Sequence, residues 1–180
     1  MMEPEIKQFE GAVWPMKAVC LISDNIISVL VEQGKCNVKL TGGRRAARFY
    51  KAWRDLPVFK QITGVSFYLR NERCVPPDHD ESNYGMAMQT LFSHGVPIEC
   101  SVFRMEADAI DIEAAAQCYA DLLPDSIDVI LLGVGEDGHI ASLFPTILRF
   151  PSQTPARLVL ISATRLLDAP FTQEQNERLS

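Results

Sequence analysis

The stretch Ile130-Leu-Leu-Gly-Val-Gly-Glu-Asp-Gly-His-Ile-Ala-Ser-Leu-Phe-Pro145 decides which fold this chain adopts. Its apolar first part is typical of a buried strand, which breaks into a glycine-rich turn. The turn brings Glu136, Asp137 and His139 within four residues. Such a loop is a common place for chemistry in α/β proteins, which bind ligands outside the carboxyl ends of their strands. The alternative is a plain strand–turn–helix joint, with Asp137 as a helix cap and His139 on the surface.

Segments of helical and strand character alternate along the rest of the chain. The spacing of apolar residues predicts helices over residues 16–33, 44–56, 83–92 and 112–123. Short apolar runs predict strands over residues 38–41, 65–69, 98–103, 127–132 and 158–162, and residues 71–82 are predicted to be a loop. This alternation implies βαβ units, and therefore an α/β fold: a three-layer sandwich with a mostly parallel, Rossmann-like sheet.

Length and composition favour one domain over residues 1–180, because the chain has no repeat, low-complexity tract or evident linker. Hydrophobic residues make up 47% of the chain and charged residues 22%, as in ordinary globular proteins. The net charge of -6 disfavours a nucleic-acid partner. No uninterrupted apolar run reaches the ~18 residues of a membrane span, so no membrane partner is predicted. Any anionic ligand must then be bound by a few local arginines.

The five cysteines, Cys20, Cys36, Cys74, Cys100 and Cys118, are odd in number and widely spaced. They match neither a disulfide framework nor a zinc pattern. We therefore expect a protein of the reducing cytoplasm, without a metal site.

Two other predicted strands also end in unusual residues. Thr41-Gly-Gly-Arg-Arg45 follows the strand 38–41. Its glycines would let backbone N–H groups face a phosphate, the next helix would add its dipole, and Arg44 offers a forked contact. The alternative is a tight turn with two solvated arginines. Residues 71–85 follow the strand 65–69, and the alternative for them is a charged surface loop.

Taken in order, the three segments resemble the 6-phosphogluconolactonases, within the superfamily that includes the glucosamine-6-phosphate isomerases. The motif S-G-G-x-[ST]-P is matched at residues 41–46, D-E-R-x-V-P…D-S-N-Y-G at 71–85, and G-x-G-x-D-G-H-T-A-S-[LI]-F-P at 133–145. Arg178-Leu179-Ser180 looks like the R-[IV]-[TS] step near the family's end, so the resemblance covers roughly residues 16–180. Arg73 and the Ala-Ser-Leu-Phe-Pro continuation after His139 favour the lactonases over the isomerases.

The resemblance implies hydrolysis of 6-phospho-glucono-1,5-lactone to 6-phosphogluconate, a step of the pentose phosphate pathway, without metal or organic cofactor. It implies that His139 takes a proton from water, that Asp137 orients His139 or binds a sugar hydroxyl, and that Arg73 stabilises developing negative charge. The residues implied to bind the sugar phosphate are Gly42, Gly43, Arg44, Asn71 and Arg178.

Three departures from the family pattern leave alternatives open. Asn71 stands where the motif has aspartate, and an amide cannot act as a base. Arg45-Ala46 stands in place of [ST]-P, which removes a hydroxyl that caps a helix. The resemblance also implies that the usual C-terminal βα units are missing, which would leave a sheet edge exposed. Either a second copy of the chain covers this edge, or the domain is a trimmed version of the family's, or the molecule is only marginally stable. A non-catalytic protein that binds sugar phosphates is therefore the alternative function, and an amino-sugar-phosphate isomerase is a weaker third.

Overall fold

The computed structural model describes residues 13–133 and 157–161, together with Lys7 and Phe9. Its helices are α1 (Trp14–Gln33), α2 (Arg44–Arg54), α3 (Asn83–Thr90) and α4 (Ile112–Leu122), with a 3-10 helix at Pro57–Gln61. Its strands are β1 (Cys36–Leu40), β2 (Val65–Leu69), β3 (Ser101–Phe103), β4 (Val129–Gly133) and β5 (Arg157–Ile161).

Within the described residues, the strands form one parallel sheet in the order β3-β2-β1-β4-β5. The chain runs outward from β1 to β3 and then crosses back to β4. The direction of winding therefore reverses between β1 and β4, where open α/β sheets bind their ligands. The predicted α/β fold with a mostly parallel, Rossmann-like sheet is confirmed.

Each predicted helix and strand is present, with ends displaced by a few residues. The largest displacement is at β3, because the segment before it turns instead of extending. The N–H of Cys100 donates to the carbonyl of Pro97 at 3.1 Å, and Glu99 has a left-handed φ of 58°. The 3-10 helix at Pro57–Gln61 is not among the predicted elements, and its first residue, a proline, also ends α2.

One face of the sheet packs against α1, α2 and α3 and forms the hydrophobic core. The residues of α2 that recur on one side of the helix at helical spacing, Ala46, Phe49, Tyr50 and Trp53, are all buried. The ring of Trp53 lies 5.8 Å from that of Phe49 and 5.3 Å from that of Phe59. Its indole N–H donates to Ser23 Oγ of α1 at 3.1 Å, so the core links both helices.

Helix α1 is long and apolar enough, by length and composition alone, to cross a membrane. It nevertheless buries Val19, Ile22, Ile26 and Val29 at helical spacing, and it packs against α2 and β1. A buried stripe of this kind is typical of a core helix of a globular domain. The helix ends at Gly34, whose φ of 73° is the left-handed conformation common at helix C-termini.

The opposite face of the sheet is mixed in character and is approached by α4. Tyr119 of α4 donates its hydroxyl hydrogen to the carbonyl of Leu69 at 2.6 Å. Tyr68 stacks on Phe103 with ring centroids 4.8 Å apart, and Lys39 pairs with Tyr68 in the register of β1 and β2. Helices therefore lie on both faces of the sheet, as the three-layer prediction requires.

Candidate functional site

The glycine loop after β1 lies directly against the N-terminus of α3. A Cβ atom at Gly42 would overlap the side-chain amide of Asn83, so this approach needs glycine at position 42. The side chain of Asn83 is buried at the contact. Two of the three segments singled out in the sequence therefore meet at the carboxyl ends of β1 and β2.

Asn83 connects this contact to two residues predicted for the site. Its Oδ1 accepts a hydrogen bond from Arg73 Nη1, and its Nδ2 donates to the backbone carbonyl of Asn71 at 2.9 Å. Arg73 is itself exposed, so its side chain borders solvent. The sequence interpretation gives Asn83 no role. Its position in the S-N-Y-G part of the motif, directly after the helix cap Ser82, could have indicated that its side chain lies at the site.

Glu72, which the sequence interpretation also passes over, organises the loop between β2 and α3. Its Oε1 accepts from the N–H groups of Asn83 at 2.7 Å and Arg73 at 2.8 Å. Its Oε2 accepts from the N–H of Tyr84 at 2.8 Å and from Ser82 Oγ at 3.1 Å. A carboxylate in this position satisfies the free N–H groups of α3 and is stabilised by the helix dipole.

The rest of this loop is folded back onto α3. Ser82 Oγ accepts from the N–H of Gly85 at 3.0 Å and is the N-cap of α3. A Cβ atom at Gly85 would overlap the carbonyl oxygen of Pro77, so the close approach requires glycine there as well. The loop prediction for residues 71–82 is confirmed, and the loop is anchored by buried contacts at its helical end.

The end of β4 lies beside the end of β1. A Cβ atom at Gly133 would stand 3.8 Å from Thr41 Oγ1, which is ordinary contact distance. The carbonyl of Thr41 accepts a hydrogen bond from the buried hydroxyl of Tyr50 at 2.7 Å, which fixes the chain as it leaves β1. Burial raises the pKa of Tyr50, so this hydroxyl stays protonated and remains a donor. Gly133, the last described residue of the segment 133–145, therefore lies beside Thr41 of the segment 41–46.

Several predicted site residues lie outside the described part of the chain. They are Asp137, His139 and Arg178, and the side chain of Arg44 is also outside the description. Their roles remain predictions. Gly43, which is described, has a φ of 94° and stands at the N-cap of α2. In residues 13–133 and 157–161, no three His, Cys, Asp or Glu side chains are grouped as metal ligands would be.

Two cations lie near the carboxyl edge of the sheet, Lys39 on β1 and Arg70 directly after β2. Burial lowers the pKa of both side chains, and the charge of Arg70 lowers the pKa of Lys39 further. The backbone N–H of Arg70 donates to the carbonyl of Leu40 at 3.1 Å, which extends the pairing of β1 and β2 to the site.

Known proteins match most of this chain. The family model described as glucosamine-6-phosphate isomerases/6-phosphogluconolactonase matches residues 15–179. The 6-phosphogluconolactonase of Pseudomonas aeruginosa is 33% identical over 127 residues, which cover 69% of this chain and 52% of that protein. The 6-phosphogluconolactonase of Pseudomonas putida is 31% identical over 163 residues, which cover 88% of this chain and 64% of that protein.

The crystal structure of the 6-phosphogluconolactonase of Thermotoga maritima superposes with a TM-score of 0.64 at 30% identity. The superposition covers 75% of this chain and 62% of that one. The chain spans about half the length of the curated relatives it matches.

Proposed function

Since the chain belongs to the family of glucosamine-6-phosphate isomerases and 6-phosphogluconolactonases, we propose that it hydrolyses 6-phospho-glucono-1,5-lactone to 6-phosphogluconate. The observation that supports this most is the convergence of the three strand ends. Gly42 contacts Asn83, Asn83 binds Arg73, and Gly133 lies beside Thr41. Catalytic groups must share one small space to act on one small substrate, because orientation supplies much of the rate.

In the proposed reaction, a water molecule attacks the lactone carbonyl while His139 takes one of its protons. The carbonyl electrons move to oxygen, and when the tetrahedral intermediate collapses the bond to the ring oxygen breaks. His139 then returns the proton to that oxygen. Histidine suits this role because it titrates near neutral pH, and such transfer is worth ~10²–10⁴-fold in rate. Asp137 is proposed to orient the imidazole.

Arg73 is proposed to stabilise the oxyanion of the intermediate. A fixed guanidinium beside developing negative charge contributes more than a mobile one, because it needs no reorganisation during the reaction. The hydrogen bond to Asn83 restrains Arg73 in this way. The phosphate is proposed to bind at Gly42, Gly43, Arg44 and Arg178. Gly43, whose φ is 94°, has no side chain to cap α2, and we propose that the N–H groups that begin the helix bind the anion instead.

Asn71 favours a second candidate, a protein that binds sugar phosphates without hydrolysing them. The structure uses the backbone carbonyl of Asn71, which accepts from Asn83, and an amide side chain at this position cannot serve as a base. This candidate predicts that 6-phosphogluconate raises the melting temperature of a protein that has no turnover. An aspartate variant, Asn71→Asp, would then gain activity.

The decisive experiment measures lactone hydrolysis by the wild type, His139→Ala and the exposed-histidine control His94→Ala. We expect a loss of about 10²–10⁴-fold for His139→Ala and no change for His94→Ala. A wild type no faster than the spontaneous reaction would reject the lactonase. A coupled assay with glucosamine 6-phosphate tests the isomerase in the same preparation.

The remaining expectations belong to the same proposal. They are one domain over residues 1–180, a cytoplasmic location, a small sugar phosphate as the ligand, and assembly of two or more copies. Light scattering after size-exclusion chromatography tests the assembly, and cell fractionation tests the location.

A further inference from the structure

Arg70 is a cation that the proposed lactonase mechanism does not use. Its Nε and Nη2 atoms are buried and have no hydrogen-bond partner among the described residues. The residue as a whole remains partly exposed. Buried donors of a guanidinium are almost always paired, because leaving them unpaired is costly. Arg70 therefore stands out among the arginines whose side chains are described.

Lys39, the second cation near the carboxyl edge, increases the free-energy cost of leaving the buried guanidinium of Arg70 unpaired. Lys39 pairs with Tyr68 in the sheet register, and Arg70 follows Tyr68 by two residues. Alternate residues of a strand point to the same face, so Lys39 and Arg70 lie diagonally on one face. The two charges repel each other, as the lowered pKa of Lys39 reflects after the larger effect of its burial.

Two acids that are close in sequence to Arg70 or to the strand beside β1, Glu72 and Asp128, form hydrogen bonds with other groups. The carboxylate of Glu72 accepts four hydrogen bonds at the start of α3. The carboxylate of Asp128 accepts from the N–H of Asn37 at 2.8 Å and from Gln33 Nε2 at 3.1 Å. In the described structure, a partly buried pair of positive charges thus lacks an acid, although the chain carries a net charge of -6. Ionisable groups whose pKa is shifted by burial and by a charged neighbour are often found at functional sites.

We propose that Arg70, supported by the charge of Lys39, is a further contact to the phosphate of the sugar-phosphate ligand, beside the contacts proposed for the glycine loop Gly42–Gly43. The backbone of Arg70 is hydrogen-bonded to Leu40 at the end of β1, next to the glycine loop. A phosphate dianion matches the fork of a guanidinium and offsets two positive charges at once. Because the guanidinium has already lost much of its water, binding requires little further desolvation of Arg70.

This inference rests on the proposed function for the identity of the ligand, and it assigns Arg70 a role in specificity. Arg70 would distinguish a phosphorylated sugar acid from the same acid without phosphate. The carboxylate of the product is the other anion that a guanidinium binds, so the experiment must separate the two groups.

The test is calorimetric binding of inorganic phosphate, gluconate and 6-phosphogluconate to the full chain. Arg70→Met is compared with the wild type and with Arg54→Met, which removes an equal charge from an exposed ion pair with Asp55. We expect Arg70→Met to weaken phosphate and 6-phosphogluconate by about 10- to 100-fold, and gluconate not at all. Arg54→Met should bind all three like the wild type.

Equal affinities in Arg70→Met and wild type would overturn the inference, as would a wild type that binds neither phosphate nor 6-phosphogluconate. A loss confined to gluconate would overturn the phosphate assignment. We expect Arg70→Met to melt no lower than wild type without ligand, because Nε and Nη2 make no hydrogen bond that would be lost. If it does not fold, Arg70→Lys, which keeps the charge but not the fork, replaces it and should show an intermediate loss.

The two proposals fail in different ways. Loss of phosphate binding in Arg70→Met, in a protein that does not hydrolyse the lactone, supports the anion site and rejects the lactonase. Hydrolysis of the lactone with the same KM in wild type and Arg70→Met supports the lactonase and rejects the anion site.

Discussion

The two faces of the sheet differ sharply in chemistry although the same strands build both. Toward α1 and α2, β1 presents Val38 and Leu40, and β2 presents Phe67 and Leu69, all almost completely buried. On the other face, Lys39 of β1 stands beside Tyr68 of β2. Alternation along each strand separates the two sets.

Because of this difference, residues that stabilise the fold alternate along the same strand with residues that we propose to serve function. The aliphatic and aromatic face excludes water and tolerates little change, because its side chains are closely packed. The opposite face and the carboxyl edge contain the partly buried charges of Lys39 and Arg70, which lower stability and which we propose to bind a ligand. Substitutions on the core face should therefore change the free energy of unfolding. Substitutions on the opposite face or at the carboxyl edge should change ligand affinity or the rate of hydrolysis.

The largest expected effect is on the core face. Replacing Trp53 with alanine removes its contacts with Phe49 and Phe59 and its hydrogen bond to Ser23. We expect a loss of about 3–5 kcal/mol in the free energy of unfolding, measured with urea. Trp14→Ala, at a partly buried tryptophan, should cost less. Equal losses in the two variants would contradict the picture of a core centred on Trp53.

The next effect is expected at the contact between the two loops. A methyl group in Gly42→Ala would displace Asn83 and with it Arg73, so kcat/KM for the lactone should fall by about 100-fold. The double variant Gly42→Ala/Asn83→Ala has no amide to displace. Its loss should be smaller than the sum of the free-energy changes of the two single variants. Simple additivity would show that Gly42 acts independently of Asn83.

Glu72 tests the anchoring of the loop before α3. Glu72→Gln removes the charge that faces the helix N-terminus and turns an acceptor oxygen into a donor that faces N–H groups. We expect the protein to lose about 2 kcal/mol of unfolding free energy by chemical denaturation. Glu81→Gln changes an exposed side chain in the same loop and should lose less than about 0.5 kcal/mol. Comparable losses of unfolding free energy in the two variants would contradict the conclusion that Glu72 anchors the loop.

The smallest effect is expected at Lys39, and its size depends on pH. Because the pKa of Lys39 is lower in the folded chain, the unfolded chain binds more protons just below the usual lysine pKa. The stability of the wild type should therefore rise as pH increases through that window. Lys39→Met should lack this rise and be more stable at pH 7, by less than about 1 kcal/mol after solvent screening. Lys35→Met, at an exposed lysine, should follow the wild-type pH dependence.

The core face was predictable because it depends on local periodicity. Trp53 and Phe49 recur at helical spacing, and their inward orientation follows from that pattern alone. The parallel sheet follows from the alternation of helices and strands in the same way. The bounds of β3 were less predictable, because the left-handed conformation of Glu99 has no strong sequence signal.

The carboxyl edge was only partly predictable, because its contacts join residues distant in sequence. The motif directs attention to Asn71 and Arg73, but the loop is organised by Glu72, two of whose partners lie eleven and twelve residues further along the chain. The proximity of Lys39 and Arg70 depends on the register between β1 and β2, which no local pattern gives. For His139 the sequence remains the source of its assigned role.

The pairing of β1 with β4 has a consequence for how the sheet opens. Within the described strands this pair is registered only at Val38 with Val129 and at Lys39 with Ile130, whereas β1–β2 and β4–β5 are each registered at five positions. Local opening in native proteins follows the boundaries of such cooperative blocks. We expect amide hydrogen exchange along this boundary to precede exchange within either block. A ligand that contacts both sides would slow it.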